Sequence, residues 1–161
     1  MSGATQQRPA LQQVVTGLVG GMAGIGAVAW LTDSAGIPLL MAPFGATCVL
    51  LFAAPAAPLA QPRNVIGGHL IAALVGLLML QWLGASPWAM ALAVGVAIAL
   101  MQLAQVVHPP AGANPLVIMM AGVSDYSFLL APVLAGAVML VVIALLINNL
   151  GAGRRWPVSW W

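Results

Sequence analysis

Lysine and glutamate are missing altogether from this chain of 161 residues; four arginines and two aspartates carry its formal charge. A soluble domain has about 25% charged residues, against 4% here. Such a chain cannot clothe a water-facing surface. With 63% hydrophobic residues and a mean hydropathy of +1.08, it reads as an all-α polytopic membrane protein whose partner is the lipid bilayer. Its basic balance rests on four arginines and gives no reason to expect nucleic acid. A single cysteine, Cys48, excludes an intrachain disulfide and a cysteine-cluster metal site. No carboxylate lies inside an apolar run, which argues against a carboxylate proton relay. Two histidines without carboxylates make a poor metal site, so neither metal nor cofactor is expected. No nucleophile–base pair or phosphate-binding loop appears, so the chain is not expected to be an enzyme.

What is present is a series of apolar stretches with breakers at particular places. Residues 1–10 form a polar start, read as cytoplasmic. The first span covers about residues 11–31 and carries Gly17, Gly20, Gly21 and Gly24 as a small-residue stripe for close helix packing. Ala27-Val28-Ala29 loosely resembles a signal-peptidase site, but the stretch is of full-span length and is read as a retained helix. Thr32-Asp33-Ser34 follows as a loop. The next stretch, residues 37–54, is interrupted by Pro38, Pro43 and Gly45, and Thr47 is placed to cap a short helix over residues 48–54. A proline-rich connection with Arg63 leads to a third span over residues 65–83, with Gly68, Ala72 and Gly76 as a second stripe and His69 inside it. Residues 88–107 form a fourth span. The last spans about residues 128–150, and residues 151–161 are a tail with Arg154, Arg155, Trp156, Trp160 and Trp161.

Between the fourth and last spans lies His108-Pro109-Pro110-Ala111-Gly112-Ala113-Asn114-Pro115-Leu116. Asn114-Pro115 reads as a helix start, with Asn as N-cap and Pro at the first helical position. The helix expected from Pro115 to Val123 is roughly 13 Å long, too short for about 30 Å of hydrocarbon. It needs an extended segment, residues 108–113, to complete the crossing.

Pro43-Phe44-Gly45-Ala46-Thr47 aligns with Pro110-Ala111-Gly112-Ala113-Asn114. Each copy has one full span before it and one after, about residues 11–83 and 88–150. Three crossings per copy is odd, so the copies run in opposite senses: a 3+3 inverted repeat of about six crossings with two broken, half-helix elements. Interrupted apolar segments at matching places in two halves point to a transporter's binding site. Opposed helix N-termini at mid-membrane would bind an anion without buried lysine or arginine. With the N-terminus inside, all four arginines fall inside and Asp33 and Asp125 outside. Trp30, Trp82, Trp88 and Tyr126 form an outer aromatic belt and the tail tryptophans an inner one. Both termini are then cytoplasmic in a multi-pass protein of the cell membrane. The other reading of the breaks is a pair of packing kinks.

The expected substrate-binding residues are Thr47 and Asn114 as capping and contact residues, and Gly45, Ala46, Gly112 and Ala113 as sources of accessible amides. His108 and His69 are added as ionisable residues inside the membrane region, and Arg63 as an attractor at the inner mouth. Each has a structural alternative: histidines satisfied by packing hydrogen bonds, and Arg63 as a topology anchor. A surplus of small-residue stripes hints at a homodimer.

The run His108-Pro109-Pro110-Ala111-Gly112-Ala113 is similar to the signature of the HPP family of small integral membrane proteins. Phe44-Gly45-Ala46 and the stretch from Pro58-Leu59-Ala60 through Gln61-Pro62-Arg63 to Gly68-His69 resemble that family as well, and the likeness extends over residues 38–146. The resemblance makes His108, Pro109 and Pro110 the family motif. The family is usually described with four spans, against the six counted from the charges. Members in plastids and cyanobacteria are associated with nitrite transport, which implies nitrite as the substrate. Some relatives add cytoplasmic CBS domains; nucleotide regulation within this chain is not expected. A channel for anions or small solutes, and a non-transporting membrane scaffold, are the alternatives.

Overall fold

A computed structural model describes residues 8–150 and 155–160. Arg154 and Trp161, assigned above to the inner face, lie outside the described residues. Among those described, the chain forms six α-helices with short 3-10 turns between them and no strand. Three helical stretches are long and apolar enough to cross a membrane: Leu11–Ala35, Pro62–Leu83 and Tyr126–Asn148.

Helix α1 (Leu11–Ala35) is one uninterrupted rod that ends at Gly36, which takes the left-handed conformation (φ +65°). It therefore runs through Thr32-Asp33-Ser34, expected as a loop. Thr32 bonds back to the Val28 carbonyl at 2.9 Å and accepts the Leu39 amide at 3.0 Å, so the hydroxyl pins the return of the chain. Only Gly20, Gly24 and Val28 of α1 are buried. Their four-residue spacing makes one stripe, and the stripe is filled from outside. A Cβ on Gly20 would collide with the Phe52 ring, and one on Gly24 would lie 3.2 Å from Cys48 and Leu140. Gly17 and Gly21 meet nothing within 4 Å and face an outer groove shared with Gly45.

Helix α2 (Ala42–Ala53) corrects the expected break. It is continuous through Gly45 and Thr47 and starts on the extended Met41 (φ −125°, ψ 142°). Pro43 lies in the first turn, where its missing N–H costs nothing because that donor has no intrahelical partner in any case. Thr47 is thus a mid-helix residue, bonded to the Pro43 carbonyl at 3.2 Å, and caps nothing. At twelve residues, α2 is about 18 Å long, still short of a bilayer.

Helix α3 (Pro62–Leu83) is the hub. It packs on α4 (Pro87–Leu103), α5 (Asn114–Ala121) and α6 (Ala135–Asn148), and it is shared by two apolar clusters. One cluster joins α1, α2, α3 and α6 and takes in Ile118 of α5; the other joins α3, α4 and α5. The α3 glycines let other backbone approach. A Cβ on Gly68 would lie 2.7 Å from the His108 Cβ, and one on Gly76 2.8 Å from the Pro115 Cα.

Helix α4 stops four residues short of the expected Val107. Gln105 adopts φ +57°, and the amides of Gln105 and Val106 bond the carbonyls of Gln102 and Met101. This is a Schellman ending with glutamine where glycine is usual. The segment expected to be extended over residues 108–113 is a 3-10 turn from Pro109 to Ala113 that leads straight into α5, and extension is confined to the residues just before it. Asn114 is the first residue of α5, its amide bonded to the Ala111 carbonyl. Its side chain makes no cap, contrary to the expectation.

The last span is also less regular than its composition suggests. Ala131 is pushed to φ −138°, ψ 116° inside Tyr126–Asn148, as expected of a residue ahead of Pro132. Trp30, Trp82, Trp88 and Trp160 are exposed. Trp156 is instead buried in the core. Asn149 holds it by accepting the Trp156 amide at 2.9 Å and donating to its carbonyl at 2.7 Å.

Candidate functional site: a hydroxyl shared by two buried histidines

Four of the residues singled out from the sequence meet in the centre of the molecule. Thr47 from α2, His69 from α3, His108 from the α4–α5 connection and Asn114 from α5 are all fully buried. Buried polar groups must find hydrogen bonds, and these find one another. Thr47 Oγ1 is 2.9 Å from His69 Nε2 and 3.0 Å from His108 Nε2. The second nitrogen of each imidazole is held from the other side. His108 Nδ1 donates to the Leu59 carbonyl at 2.8 Å. His69 Nδ1 faces the Asn114 carboxamide, with Oδ1 at 3.2 Å and Nδ2 at 3.1 Å, while Nδ2 also donates to the His69 carbonyl at 3.0 Å.

Local structure explains the convergence. Gly68 removes the side chain that would collide with His108, so the extended residues before Pro109 can lie against α3. Asn64 reinforces this by donating to the Val107 carbonyl at 2.9 Å, and Arg63 donates to the Gln105 carbonyl. Phe44 closes the other side: its ring meets His69 edge-on, centroids 5.2 Å apart, and fills the space that Gly136 leaves on α6. The two imidazole centroids are 5.1 Å apart.

The remaining expected residues stand elsewhere. Gly45 and Ala46 are exposed on the outer face of α2. Gly112 and Ala113 are half-buried in the 3-10 turn that precedes Asn114. Arg63 is half-buried above the cluster. Pro110 is buried and Pro109 exposed. Among the described residues, no three histidine, cysteine or acidic side chains gather as a metal-ligand set.

Several contributors were not singled out from the sequence. The carbonyls of Pro43 and Leu59 carry no residue-type signal. Gln61 does: a buried glutamine ahead of α3 donates to the carbonyls of Pro55 and Ala57 and accepts the amide of Val158 at 2.9 Å. It thereby ties the tail to the connection above the site. A buried Asn148, donating to the Leu51 carbonyl at 2.9 Å, joins α6 to α2. A polar amide in an otherwise apolar run is the signal that marks both.

The chemistry available is limited and specific. The site offers one hydroxyl, two imidazoles and one carboxamide, with no fixed charge. It can hold or pass a proton, and its N–H and O–H groups are all engaged within the cluster, so any of them would reach a further polar or anionic group only by leaving its present partner.

The family model for the HPP transmembrane region matches residues 6–157. Two curated transmembrane proteins of Dictyostelium discoideum are similar: one is 40% identical over 131 residues, 76% of this chain and 46% of the relative, and the other 38% identical over 129 residues, 76% of this chain and 42% of the relative. The chain thus spans less than half the length of the curated relatives it matches. No solved structure matches.

Proposed function

The chain belongs to the HPP transmembrane family, and from that premise we propose that it is a transporter of a small inorganic anion, nitrite foremost, with Thr47, His69, His108 and Asn114 as its substrate site. The observation that carries the reading is the meeting of Thr47 and Asn114, residues aligned in the two repeats, on opposite nitrogens of one buried histidine. Irregular backbone at membrane depth is tolerated where it is buried in protein or lines a cavity, and ionisable side chains there commonly mark substrate or proton paths. This cluster has donors and no carboxylate to repel an anion.

The 3+3 inverted repeat belongs to the same proposal. Exchanging α1 with α4, α2 with α5 and α3 with α6 preserves the packing: α1 lies on α2 and α6 as α4 lies on α5 and α3, and α2 lies on α6 as α5 lies on α3. The proposed topology has Arg8, Arg63 and Arg155 on the cytoplasmic side of the cell membrane. Arg63 and Arg155 are both near the tail contacts with the α2–α3 connection. Asp125 stands at the other end, next to Tyr126, which bonds Gln81 near the close of α3. Full burial of all four site residues favours an occluded carrier over an open channel.

The test is uptake into proteoliposomes of purified protein, with nitrite, nitrate, chloride and formate offered in turn. Saturable uptake above protein-free vesicles that is lost in Asn114→Ala and His108→Ala supports the reading. No flux of any of the four sinks it.

A further inference from the structure

Counting protons in the central cluster leads beyond anion binding. The carbonyls of Leu59 and Pro43 can only accept. His108 Nδ1, 2.8 Å from the Leu59 carbonyl, must therefore carry a hydrogen. Thr47 Oγ1 has three partners: the Pro43 carbonyl at 3.2 Å, His69 Nε2 at 2.9 Å and His108 Nε2 at 3.0 Å. A hydroxyl has one hydrogen to give and two lone pairs. All three contacts are hydrogen bonds only if the hydroxyl donates to Pro43 and both imidazoles donate to the hydroxyl. His108 then carries hydrogen on both nitrogens and is an imidazolium. With both histidines neutral, one contact of Thr47 lacks a proton in every arrangement. The least loss comes when the hydroxyl turns from Pro43 to the bare Nε2 of His108. Asn114 can serve the same scheme: of its two atoms facing His69 Nδ1, Oδ1 at 3.2 Å and Nδ2 at 3.1 Å, a donating Nδ2 leaves His69 Nε2 as the N–H facing Thr47.

We propose that Thr47, His69 and His108 form a binding site for one proton, taken up at His108 Nε2 as the Thr47 hydroxyl swings to the Pro43 carbonyl, and that this proton travels with the anion. The inference rests on the anion-transport reading for its partner ion. No electrons move: one N–H bond forms on loading and breaks on release to water. A lone cation buried at membrane depth is costly, and among the described residues no carboxylate faces this one. The α2 residues beside it are Thr47 and Phe44, with Cys48 turned to Gly24 of α1. Facing it from α3 is His69, from the α2–α3 turn the Leu59 carbonyl, and from α5 Asn114 on the far side of His69. From α6, Gly136 lies behind Phe44. Arg63 is bonded to Gln105, and Asp33 and Asp125 are exposed. The protonated state therefore requires a bound anion, and the two ions move together without net charge.

The experiment uses the full chain in lipid vesicles, where two histidines give only two imidazole spectra. With nitrogen-15 histidine, solid-state NMR is recorded between about pH 5 and about pH 8, without anion and with nitrite or nitrate. Expected is two neutral rings without a transported anion and one imidazolium per chain with it, lost in Thr47→Val and kept in Thr47→Ser. In the same vesicles, nitrate should accumulate about tenfold per unit of inward pH gradient, independent of membrane potential, above protein-free vesicles. Rings that stay neutral with anion, an imidazolium that forms without it, or flux indifferent to the pH gradient overturns the proton site. If flux persists with neutral rings, the transport reading stands and this inference fails. If an imidazolium forms with anion but no flux is seen, the proton site stands and the transport reading fails.

Discussion

Thr47 and Asn114 grip His69 from opposite sides, the hydroxyl on Nε2 at 2.9 Å and the carboxamide on Nδ1. The two residues stand on different helices, far apart in sequence, yet share one ring. An imidazole held at both nitrogens has a fixed orientation, and its two nitrogens are held by different helices, α2 and α5.

Removing the Thr47 hydroxyl should cost more than its size suggests. Thr47→Val keeps the shape but leaves two buried ring nitrogens without a partner, and each unsatisfied buried polar group costs about 1–3 kcal/mol. Thermal unfolding in detergent should show Thr47→Val clearly destabilised and Thr47→Ser close to wild type. Equal melting of Val and Ser variants would contradict the hydrogen bonding described.

The α3 glycines should be intolerant where they face backbone. Gly68→Ala places a methyl 2.7 Å from the His108 Cβ, and Gly76→Ala 2.8 Å from the Pro115 Cα. Overpacking of this kind costs about 1–3 kcal/mol. On α4, Gly95 has nothing within 4 Å, so Gly95→Ala should be neutral or gain up to about 1 kcal/mol. Denaturation midpoints of the three variants check the contrast.

How much of this could be read from the amino acids alone divides along a physical line. Membrane character followed from missing charge. Thr47 and Asn114 stand out in the sequence as cap residues and His69 and His108 as ionisable residues in apolar runs, and the fold brings the four together. The capping expected of Thr47 and Asn114 does not occur. Pro43 breaks nothing in a first turn, so Thr47 turned out to be a bridge and not a cap. Asn114 is similar: its amide was already satisfied by Ala111, leaving the side chain for His69. The early end of α4 could not be read, since nothing in Gln105 announces a left-handed residue. The carbonyls of Leu59 and Pro43 are contributed by position and not by residue type.

Gln61 should govern the tail. Its side chain accepts the amides of Val158 and Ser159 and donates to Pro55 and Ala57. Gln61→Ala should raise hydrogen exchange at Val158 and Ser159 at least severalfold, with little change at the amides of α6. Unchanged protection would contradict this role for Gln61.

Asp125 supplies a small pH dependence at the opposite end. The Ser127 amide, then its hydroxyl, hold the exposed Asp125 carboxyl below its ordinary value. A carboxylate depressed in the folded state stabilises above its unfolded value, and that contribution is lost as pH falls through the folded one. Exchange of the Ser127 amide should therefore quicken, relative to neighbouring amides, only in acid below the usual carboxylate range. Asp125→Asn should abolish that acid-specific change; an identical profile in the variant would contradict it.

The most direct test of the central claim is the initial rate of nitrite uptake into proteoliposomes by wild type, Asn114→Ala and Gly95→Ala, each reconstituted at equal density. The account predicts saturable uptake by wild type, a rate for Gly95→Ala within about twofold of it, and a loss of at least about tenfold for Asn114→Ala, the equivalent of about 1.4 kcal/mol. Uptake by Asn114→Ala at the wild-type rate would contradict the account.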